Sequence, residues 1–397
     1  MDVAILGGGP AGLAAALALR QRGCSVALYD GQSPPIDKAC GEGLMPEAVR
    51  LLQALGVVLD HRDGAPFTGI SFHDAGHGAG HDAGASASAP FDNGNGLGVR
   101  RTRLQARMAM QAAEVGIELH WGATVRTHAG GGFASAGSVI HADFFVIADG
   151  LCSTLSAACG FRQRNCHSTR YASRQQFECS PWSPRVEVHW RHREQLYITP
   201  LGENEVGVTL LTSVRGRRLS DALNDFPKVA SRLAGATPTS TMRGAITRTR
   251  SLYEVIRGNV AVLGDASGSV DAVTGEGLLA ALRQATALAD AIAAGEPQRY
   301  AVEHRKMATA PRRMARLLLL LDRYLWMQRR FVATLAARPE IFAALLRVHL
   351  ANWSWLSLAR SGAAALLTGR RGTKQDIQRA IASWPPHAAE AHRERGV

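Results

Sequence analysis

The sequence lacks the cysteine pairs and long apolar runs that mark several classes of protein. None of its six cysteines stands in a Cys-x-x-Cys pair, so no zinc knuckle is expected and the predicted site contains no metal. Their spacing suggests no disulfide framework, which fits a reducing compartment. No uninterrupted apolar run reaches the roughly 20 residues of a membrane-spanning helix. Asp2 stands where a signal peptide would be basic. We therefore expect a cytoplasmic protein.

Acidic residues are scarce in the last quarter of the chain. Residues 301–397 hold 17 Lys and Arg but 6 Asp and Glu, which accounts for nearly all of the formal net charge of +12. Tyr324, Trp326 and Phe331 stand beside arginines there, and this composition suits peripheral contact with an anionic membrane. The alternatives are a helical cap over a substrate cavity, a dimer face or simply a solvated helical region. No nucleic-acid-binding module accompanies the charge, so nucleic acid is not an expected partner.

The first 30 residues carry the most informative pattern. An apolar run leads directly into Gly7-Gly-Gly-Pro-Ala-Gly12, an alanine- and leucine-rich segment follows, and a second apolar run ends at Asp30. This is the order of a dinucleotide-binding βαβ unit. Gly7 permits a tight turn, Gly9 lets the backbone approach a pyrophosphate, and Gly12 lets helix and strand pack closely; the helix N-terminus favours phosphate. Asp30 is placed to accept both ribose hydroxyls, which disfavours a 2′-phosphate.

Changes of pattern divide the rest of the chain into regions. Apolar strands and helices of an α/β domain alternate with a segment of polar–apolar alternation, which is typical of an antiparallel sheet. We predict a first part of a cofactor domain at residues 1–159, a sheet domain at 160–255, a second part of the cofactor domain at 256–298 and a basic helical region at 299–397.

Residues 74–96 are rich in Gly, Ala, His and Ser and predict a long hairpin loop. His73, His77 and His81 recur there at every fourth residue, a spacing that would align them on a helix for metal binding. Their glycine-rich neighbours are poor helix formers. A solvated loop is therefore the favoured interpretation.

Three separated glycine motifs carry a family resemblance. They are Gly7–Gly12 with Asp30, Ala148-Asp-Gly150 after an apolar run, and Gly264-Asp265-Ala-Ser-Gly268 continuing to Thr274-Gly-Glu-Gly277. Together, over residues 1–295, they resemble the FAD-binding fold of the aromatic hydroxylase and geranylgeranyl reductase superfamily. The resemblance implies an α/β fold: a Rossmann-type (GR2-like) FAD domain of discontinuous segments, an inserted antiparallel β-sheet substrate domain and a C-terminal helical region.

The same resemblance implies cofactor contacts at matching positions. Asp265 resembles the Asp beside the ribityl chain and pyrophosphate, and Gly275 and Gly277 resemble glycines whose helix N-terminus faces the flavin pyrimidine. Arg101 resembles the arginine near the flavin linker, and Val125 the strand-end residue beside the adenine. The expected FAD-binding residues are Gly7, Gly9, Pro10, Ala11, Gly12, Asp30, Cys40, Gly41, Glu42, Arg101, Val125, Asp149, Gly150, Asp265, Gly275 and Gly277.

The loop Cys40-Gly-Glu-Gly-Leu44 resembles the reductase branch of the superfamily. Cys40 there has either a redox role or a packing role, and Glu42 either contacts substrate or flavin or orders the loop. On the predicted sheet, Tyr197 and Thr199 alternate and so face one side. Together with Pro200 they are substrate-contact candidates, with core packing as the alternative.

Departures from the family pattern leave the reaction open. Ser156 replaces an arginine associated with nicotinamide contact, and the segment Gln195–Pro200 lacks the Trp and Phe of the reductase substrate motif. The resemblance favours an FAD-dependent monooxygenase that uses NAD(P)H and O2 to hydroxylate a phenolic or polyketide-derived molecule through a flavin C4a-hydroperoxide. The alternatives are a flavin-dependent reductase of isoprenoid double bonds and an electron-transfer flavoprotein. Catalytic side chains are not identified by the pattern.

Overall fold

The computed structural model describes residues 1–74 and 84–350, with the backbone alone at 165–168. Its strands are β1 (Asp2–Leu6), β2 (Ser25–Asp30), β3 (Gly43–Leu44), β4 (Gly64–Phe67), β5 (Gly69–Asp74), β6 (Ser86–Pro90), β7 (Gly96–Val99), β8 (Glu118–Trp121), β9 (Val125–Thr127), β10 (Phe133–Ser135), β11 (Ser138–Ile140), β12 (Phe144–Ile147), β13 (Gln163–Glu178), β14 (Val186–Arg191), β15 (Glu194–Gly202), β16 (Glu205–Thr212), β17 (Thr237–Pro238), β18 (Arg243–Leu252), β19 (Ile256–Arg257), β20 (Val260–Val262) and β21 (Gly268–Ser269).

The helices alternate with these strands and then follow them. They are α1 (Pro10–Gln21), α2 (Pro46–Ala54), α3 (Arg101–Glu114), α4 (Thr154–Ala158), α5 (Leu219–Leu223), α6 (Pro227–Arg232), α7 (Gly277–Ala293), α8 (Arg299–Met307), α9 (Thr309–Arg323), α10 (Leu325–Ala337) and α11 (Pro339–His349), with short 3₁₀ turns at Gly264–Ala266 and Ala272–Thr274. No helix in these described ranges is long and apolar enough to span a bilayer.

A parallel sheet forms the centre of the first domain and confirms the predicted α/β fold. Its strand order is β19-β20-β12-β1-β2-β8, and β1 pairs in parallel with both β2 and β12. Strand β1 is apolar because both faces of the sheet are covered: Val3 and Ile5 pack in the core with the helices, and Ala4 and Leu6 pack in a core with β10 and β11. Helix α1 buries Leu13, Leu17 and Leu19 in one core with Leu282 and Leu288 of α7. The alanines between these leucines let the two helices approach each other closely.

A larger, mostly antiparallel sheet forms the second domain. Its order is β21-β18-β13-β16-β15-β14-β5-β6, with β17 paired to β13. Strands β5 and β6 come from the segment that the sequence assigns to the cofactor domain, yet β5 pairs in parallel with β14, Val186 opposite Ile70. The substrate sheet therefore recruits residues 69–90, which lie outside the predicted 160–255 segment.

The predicted long loop at 74–96 contains strand β6, which pairs with β5 as a hairpin. His73 lies on β5, whereas His77 and His81 lie outside the described residues. His73 therefore lies on a strand, as the pattern at residues 69–73 predicts, at the start of the predicted hairpin. The partner of that strand could not be predicted, because β14 is more than 100 residues away and cannot be seen in local composition.

Helices α8 to α10 belong to the same compact unit as both sheets, Met1–Phe342, and Ala343–Val397 form a second unit. Tyr300 of α8 is fully buried, and its hydroxyl donates to the Val262 carbonyl at 3.1 Å. Trp190 of the large sheet donates its indole N–H to Asp322 of α9 at 2.9 Å. The first part of the predicted 299–397 region therefore packs on both sheets.

Candidate functional site

The glycine loop after β1 is shaped by two steric limits. Gly7 has φ of 125°, a conformation that side chains rarely adopt. A Cβ on Gly12 would lie 1.8 Å from the Gly7 carbonyl oxygen, so helix and strand can meet only without a side chain there. At Gly9, by contrast, the nearest atom to an added Cβ would be an Arg101 guanidinium nitrogen at 3.8 Å. The space over Gly9 is therefore open on the side that Arg101 faces.

Asp30 at the end of β2 helps to hold this loop. Its carboxylate accepts the Gly8 N–H at 2.6 Å and the Gln32 N–H at 2.7 Å. The Trp121 ring at the end of β8 covers Gly8, where an added Cβ would be 2.2 Å from the ring. Trp121 is not among the residues predicted from the sequence. Its signal is the register of β8 beside β2, where Trp121 pairs with Asp30.

Basic side chains gather where the loop meets the motif at Asp265. The Arg101 Nε atom is buried and has no hydrogen-bond partner among the described residues. Burial raises the pKa of the Asp265 carboxyl, and the positive charges of Lys38, Arg250 and Arg101 oppose that shift. Three cations beside an open helix N-terminus form an electrostatic environment suited to phosphate.

Lys38 was absent from the predicted set although it precedes the Cys40 loop. Its ammonium lies 3.1 Å from the point where a Cβ on Gly150 would stand, and Gly150 has φ of 91°. The neighbouring Asp149 has a buried carboxylate oxygen without a hydrogen-bond partner in the described structure. Burial raises the pKa of Asp149, while its hydrogen bond to Ser153 acts in the opposite direction. An unpaired buried acceptor such as this is suited to a donor on a bound ligand.

The third motif forms the floor of the same region. Gly264 has φ of 60° and packs against the Ala11 methyl group, which brings the motif against the start of α1. Gly275 adopts φ of 67° and ends the short turn before α7. Apart from the adjacent backbone, no atom of the described residues lies within 4 Å of a Cβ placed on Gly277 or on Gly41, so both glycines face open space. Val125 is the first residue of β9 and is half-buried.

Glu42, in the loop that follows Lys38, contacts three residues of neighbouring elements. It adopts φ of 58°, which is uncommon for a residue with a side chain. Its buried carboxylate accepts the Arg101 N–H at 2.9 Å and the Gln176 side-chain amide at 2.8 Å, and it lies 3.7 Å from the Arg174 guanidinium. Burial raises the pKa of Glu42 and Arg174 opposes the shift. Glu42 thus caps α3 and joins that helix to β13.

Arg174 and Gln176 are not among the residues predicted from the sequence, because only the folded sheet brings them to Glu42. Both lie on β13, two residues apart and therefore on one face. Arg174 is 2% exposed and also pairs with Asp37. Cys40 is half-buried as a residue, and burial of its thiol, with the negative charge of Glu42, raises the thiol pKa. At neutral pH Cys40 is therefore a thiol and not a thiolate.

The three sheet candidates lie against the cofactor-side loops. Thr199 donates its hydroxyl to the Gly41 carbonyl at 2.9 Å, and Tyr197 donates to Gln195 at 2.5 Å and to the Val273 carbonyl at 3.2 Å. The Pro200 carbonyl lies against Gly98, which leaves no room for a Cβ there. Burial raises the pKa of Tyr197, so its phenol stays protonated. A substrate contact at these residues stays a prediction.

A buried ion cluster lies on the same side of the sheet as Tyr197. Arg170 of β13 is 3.4 Å from Asp271 and 3.6 Å from Asp322, and all three side chains are buried. Asp271 begins the turn before α7, and Asp322 lies on α9. Removing one partner of such a cluster leaves a buried charge, which is costly. The cluster therefore couples the turn at Gly275 to the C-terminal helices.

The residues present fit an FAD molecule. Open space over Gly9, Gly41 and Gly277, a buried guanidinium nitrogen on Arg101 and an orphaned oxygen on Asp149 are the features that a dinucleotide would fill and pair. Ser156, at the departure from the hydroxylase pattern, is buried in α4, and its N–H donates to the Ser153 hydroxyl at 3.0 Å. Ser153 caps the helix through this bond, and Ser156 presents no charge to a nicotinamide.

Comparison with known proteins supports an FAD-binding fold. The family described as FAD binding domain matches residues 1–299. The menaquinone reductase of Mycolicibacterium smegmatis is 28% identical over 82% of this chain and 86% of its own length, and that of Mycobacterium tuberculosis is 27% identical over 70% and 72%. Among solved structures, the flavin-dependent brominase Bmp2 shares 16% identity, with a TM-score of 0.76 over 93% of this chain and 100% of that one. The p-nitrophenol 4-monooxygenase PnpA of Pseudomonas putida DLL-E4 shares 16% identity and a TM-score of 0.71 over 88% and 96%.

Proposed function

We propose that this chain, which belongs to the FAD binding domain family and is an FAD-binding oxidoreductase, is a monooxygenase for an electron-rich, largely apolar small molecule. In the proposed reaction NAD(P)H, a proton, O2 and the substrate give the hydroxylated product, NAD(P)⁺ and water. One oxygen atom enters the product and the other leaves as water. The substrate class is a phenolic or polyketide-derived ring.

The observation that carries this proposal is the contact between the Cys40–Glu42 loop and the large sheet. Thr199 donates to the Gly41 carbonyl at 2.9 Å, and Thr209 donates to the Cys40 carbonyl at 3.5 Å. Both threonines are buried. A ring held at this junction would be shielded from water, and transfer of oxygen to an apolar ring needs such shielding to prevent side reactions.

FAD, when bound, would supply the redox chemistry, and the protein would bind and orient it. The α1 N-terminus and Arg101 would hold the pyrophosphate, and Asp30 the ribose. The N-terminus of α7 at Gly277 would stabilise negative charge through its unpaired N–H groups. Glu42 would keep Arg101 in place through the N–H that it accepts at 2.9 Å. Tyr197, protonated because burial raises its pKa, could donate a hydrogen bond but could not act as a base.

A second candidate function, a reductase for an isoprenoid quinone or a related lipid, is favoured by the sequence relatives. Two menaquinone reductases align over 70% or more of this chain. The Cys40-Gly-Glu-Gly-Leu44 loop and the uncharged Ser156 agree with this alternative. Such a reaction would transfer a hydride and a proton to the substrate and would not consume O2.

A lipid substrate would bring the protein to a membrane surface. Leu320 of α9, Tyr324 between the two helices and Trp326 of α10 are exposed at 45%, 41% and 66%, and arginines such as Arg323 stand beside them. We propose that this apolar and basic face binds an anionic bilayer. Flotation with vesicles of phosphatidylglycerol should recover the protein, and Trp326→Ser should reduce the floated fraction severalfold. Equal recovery with neutral and anionic vesicles, or none, would refute the contact.

The deciding experiment measures electrons and oxygen together. FAD-loaded protein is reduced with NADH or NADPH without oxygen, then given phenols or menaquinone with or without ¹⁸O2. One ¹⁸O atom in the product supports the monooxygenase, whereas a reduced product formed without oxygen supports the reductase. Stable flavin reduction without conversion of any small molecule would favour an electron carrier and contradict both. Protein without added FAD is the blank, and failure to bind FAD would contradict all three.

A further inference from the structure

A second group of chemically active side chains lies on the opposite face of the large sheet from Tyr197 and Thr199. His73 of β5 pairs in register with His189 of β14, and Glu187 precedes His189 by two residues, so the three side chains share one face. Their neighbours on β15 are Leu196 and Ile198, which pack in a core with helices α5 and α6. The proposed redox reaction uses none of these three residues.

The polar atoms of this group converge on one point. His189 Nε2 lies 2.9 Å from one Glu187 oxygen, and His73 Nε2 lies 3.8 Å from the other. The two imidazole rings are stacked with centroids 4.6 Å apart and planes 14° apart. One ligand atom from each residue falls within 4.8 Å of the others.

Surrounding hydrogen bonds orient the ligands as in a metal site. The Ser86 hydroxyl lies 2.8 Å from His73 Nδ1, which directs Nε2 of that ring towards Glu187. The Trp182 indole donates to Glu187 at 3.0 Å. His73 Nε2 itself is buried and has no hydrogen-bond partner among the described residues. Outer partners of this kind fix the tautomer and orientation of metal-bound histidines.

The distances suit a tetrahedral ion. Ligand atoms about 2.0–2.1 Å from such an ion are about 3.3 Å from each other. The separations of 2.9 and 3.8 Å, measured to different oxygens of Glu187, lie on either side of that value. One ligand atom from each residue lies within 4.8 Å of the others, so the side chains would have to rotate to close around one ion. Two imidazoles and one carboxylate suit Zn²⁺ and its neighbours in the transition series better than Mg²⁺ or Ca²⁺, which prefer oxygen ligands. The Lys228 charge acts on His73 and opposes any cation, so the carboxylate is needed to offset it.

We propose that His73, Glu187 and His189 bind one divalent transition-metal ion, with Zn²⁺ as the test ion. The ion would join β5, which comes from the early part of the chain, to β14. Its role would be structural, because the face that holds it is opposite the one that contacts the Cys40 loop. A fourth position would be left for water, as three protein ligands provide only part of a tetrahedral shell.

The test uses chelator-treated full-length protein and three readouts: Zn²⁺ titration by calorimetry, the visible spectrum with Co²⁺, and thermal unfolding with Zn²⁺ or Mg²⁺. We expect binding of Zn²⁺ with an affinity at least 10-fold lower in His189→Gln and in Glu187→Gln, a tetrahedral Co²⁺ spectrum, and stabilisation by Zn²⁺ but not Mg²⁺. His120→Gln is the matched control, because His120 forms an exposed pair with Glu118 at 3.6 Å without a second imidazole. That variant should bind Zn²⁺ as the unaltered protein does.

Two outcomes would overturn the site. One is the absence of Zn²⁺ binding and thermal stabilisation in the unaltered protein, which needs no variant. The other is unaltered Zn²⁺ affinity in a folded Glu187→Gln protein, since this change keeps the side-chain volume and removes the charge. If His189→Gln fails to fold, Glu187→Gln and the Co²⁺ spectrum of the unaltered protein decide. FAD binding and turnover do not enter any of these readouts.

Discussion

Two alanine substitutions in one glycine loop should separate cofactor binding from folding. Gly9 has φ of −70° and ψ of 174°, which any residue can adopt, and the nearest contact of an added Cβ within the described part of the chain, adjacent residues aside, would be at 3.8 Å. Gly9→Ala should therefore fold with a stability within about 0.5 kcal/mol of the unaltered protein. Its methyl group, however, would occupy the space that a pyrophosphate needs to reach the α1 N-terminus.

The expected loss of FAD affinity follows from the hydrogen bonds at stake. A hydrogen bond to a charged group contributes about 1.5–3 kcal/mol. Displacing the phosphate from one backbone N–H should therefore raise the Kd for FAD about 10- to 150-fold. Gly12→Ala should behave differently, because its Cβ would lie 1.8 Å from the Gly7 carbonyl oxygen. Overpacking of this kind costs about 1–3 kcal/mol or more, so Gly12→Ala should unfold at a lower temperature even without FAD.

The assay is thermal unfolding of FAD-free protein together with FAD titration by fluorescence quenching. Gly244→Ala on β18 is the control, because an added Cβ there would make only an ordinary contact at 3.8 Å. This control variant should change neither the unfolding temperature nor the affinity for FAD. FAD affinity within threefold of normal in Gly9→Ala would refute the assignment of this loop to the pyrophosphate. Normal stability of Gly12→Ala would refute the steric argument.

Three further outcomes follow from contacts described above. Arg101→Gln should raise the Kd for FAD about 10-fold or more, with a slope against salt concentration that is smaller than normal; an unchanged Kd would remove Arg101 from the phosphate site. Thr199→Val removes the hydroxyl that donates to Gly41 at 2.9 Å and should lower the free energy of unfolding in urea by about 1 kcal/mol. Thr199→Ser keeps a hydroxyl and should retain most of that stability. Burial lowers the pKa of His304 to about 4, and its ring lies 2.9 Å from the Ser267 hydroxyl. Because the unfolded chain binds a proton at a pKa of about 6.5, stability should fall as pH drops from about 6.5 towards 4, by up to about 3 kcal/mol. His304→Gln should flatten that part of the stability profile. An equally steep profile in this variant would contradict the assignment of the pH dependence to His304.

The cofactor domain could be predicted because its determinants are local. Gly7, Gly9, Gly12 and Asp30 are separated by short stretches whose periodicity defines strand, turn and helix. The steric demand at Gly12 can be read from the spacing of the motif alone, and the structure has the same contact. The α/β architecture follows from the same evidence, since apolar runs with intervening helices favour a parallel sheet.

The strands that make up the large sheet and the candidate metal site could not be predicted, because their determinants are distant in sequence. The pairing of β5 with β14 joins His73 to His189 across more than 100 residues, and no local pattern encodes that partner. The spacing of His73, His77 and His81 would join them on a helix, which their glycine-rich neighbours disfavour, whereas His73 has its neighbour His189 across two strands. The sequence left two roles open for Glu42, contact with substrate or flavin and ordering of the loop. The structure adds a hydrogen bond from Gln176 of β13, a residue that local sequence does not place beside Glu42.

The β5–β14 pairing also limits how this protein can be recombined with others. A chimera that exchanged only residues 160–255 for the equivalent segment of another flavoenzyme would remove β14 and leave β5, with β6 beside it, without its native neighbour. The unpaired backbone groups of such an edge invite pairing with other molecules and aggregation. A transferable substrate module must therefore include residues 69–90 as a second insert. To change the specificity of this fold by transfer of a domain, residues 69–90 and 160–255 must be replaced together.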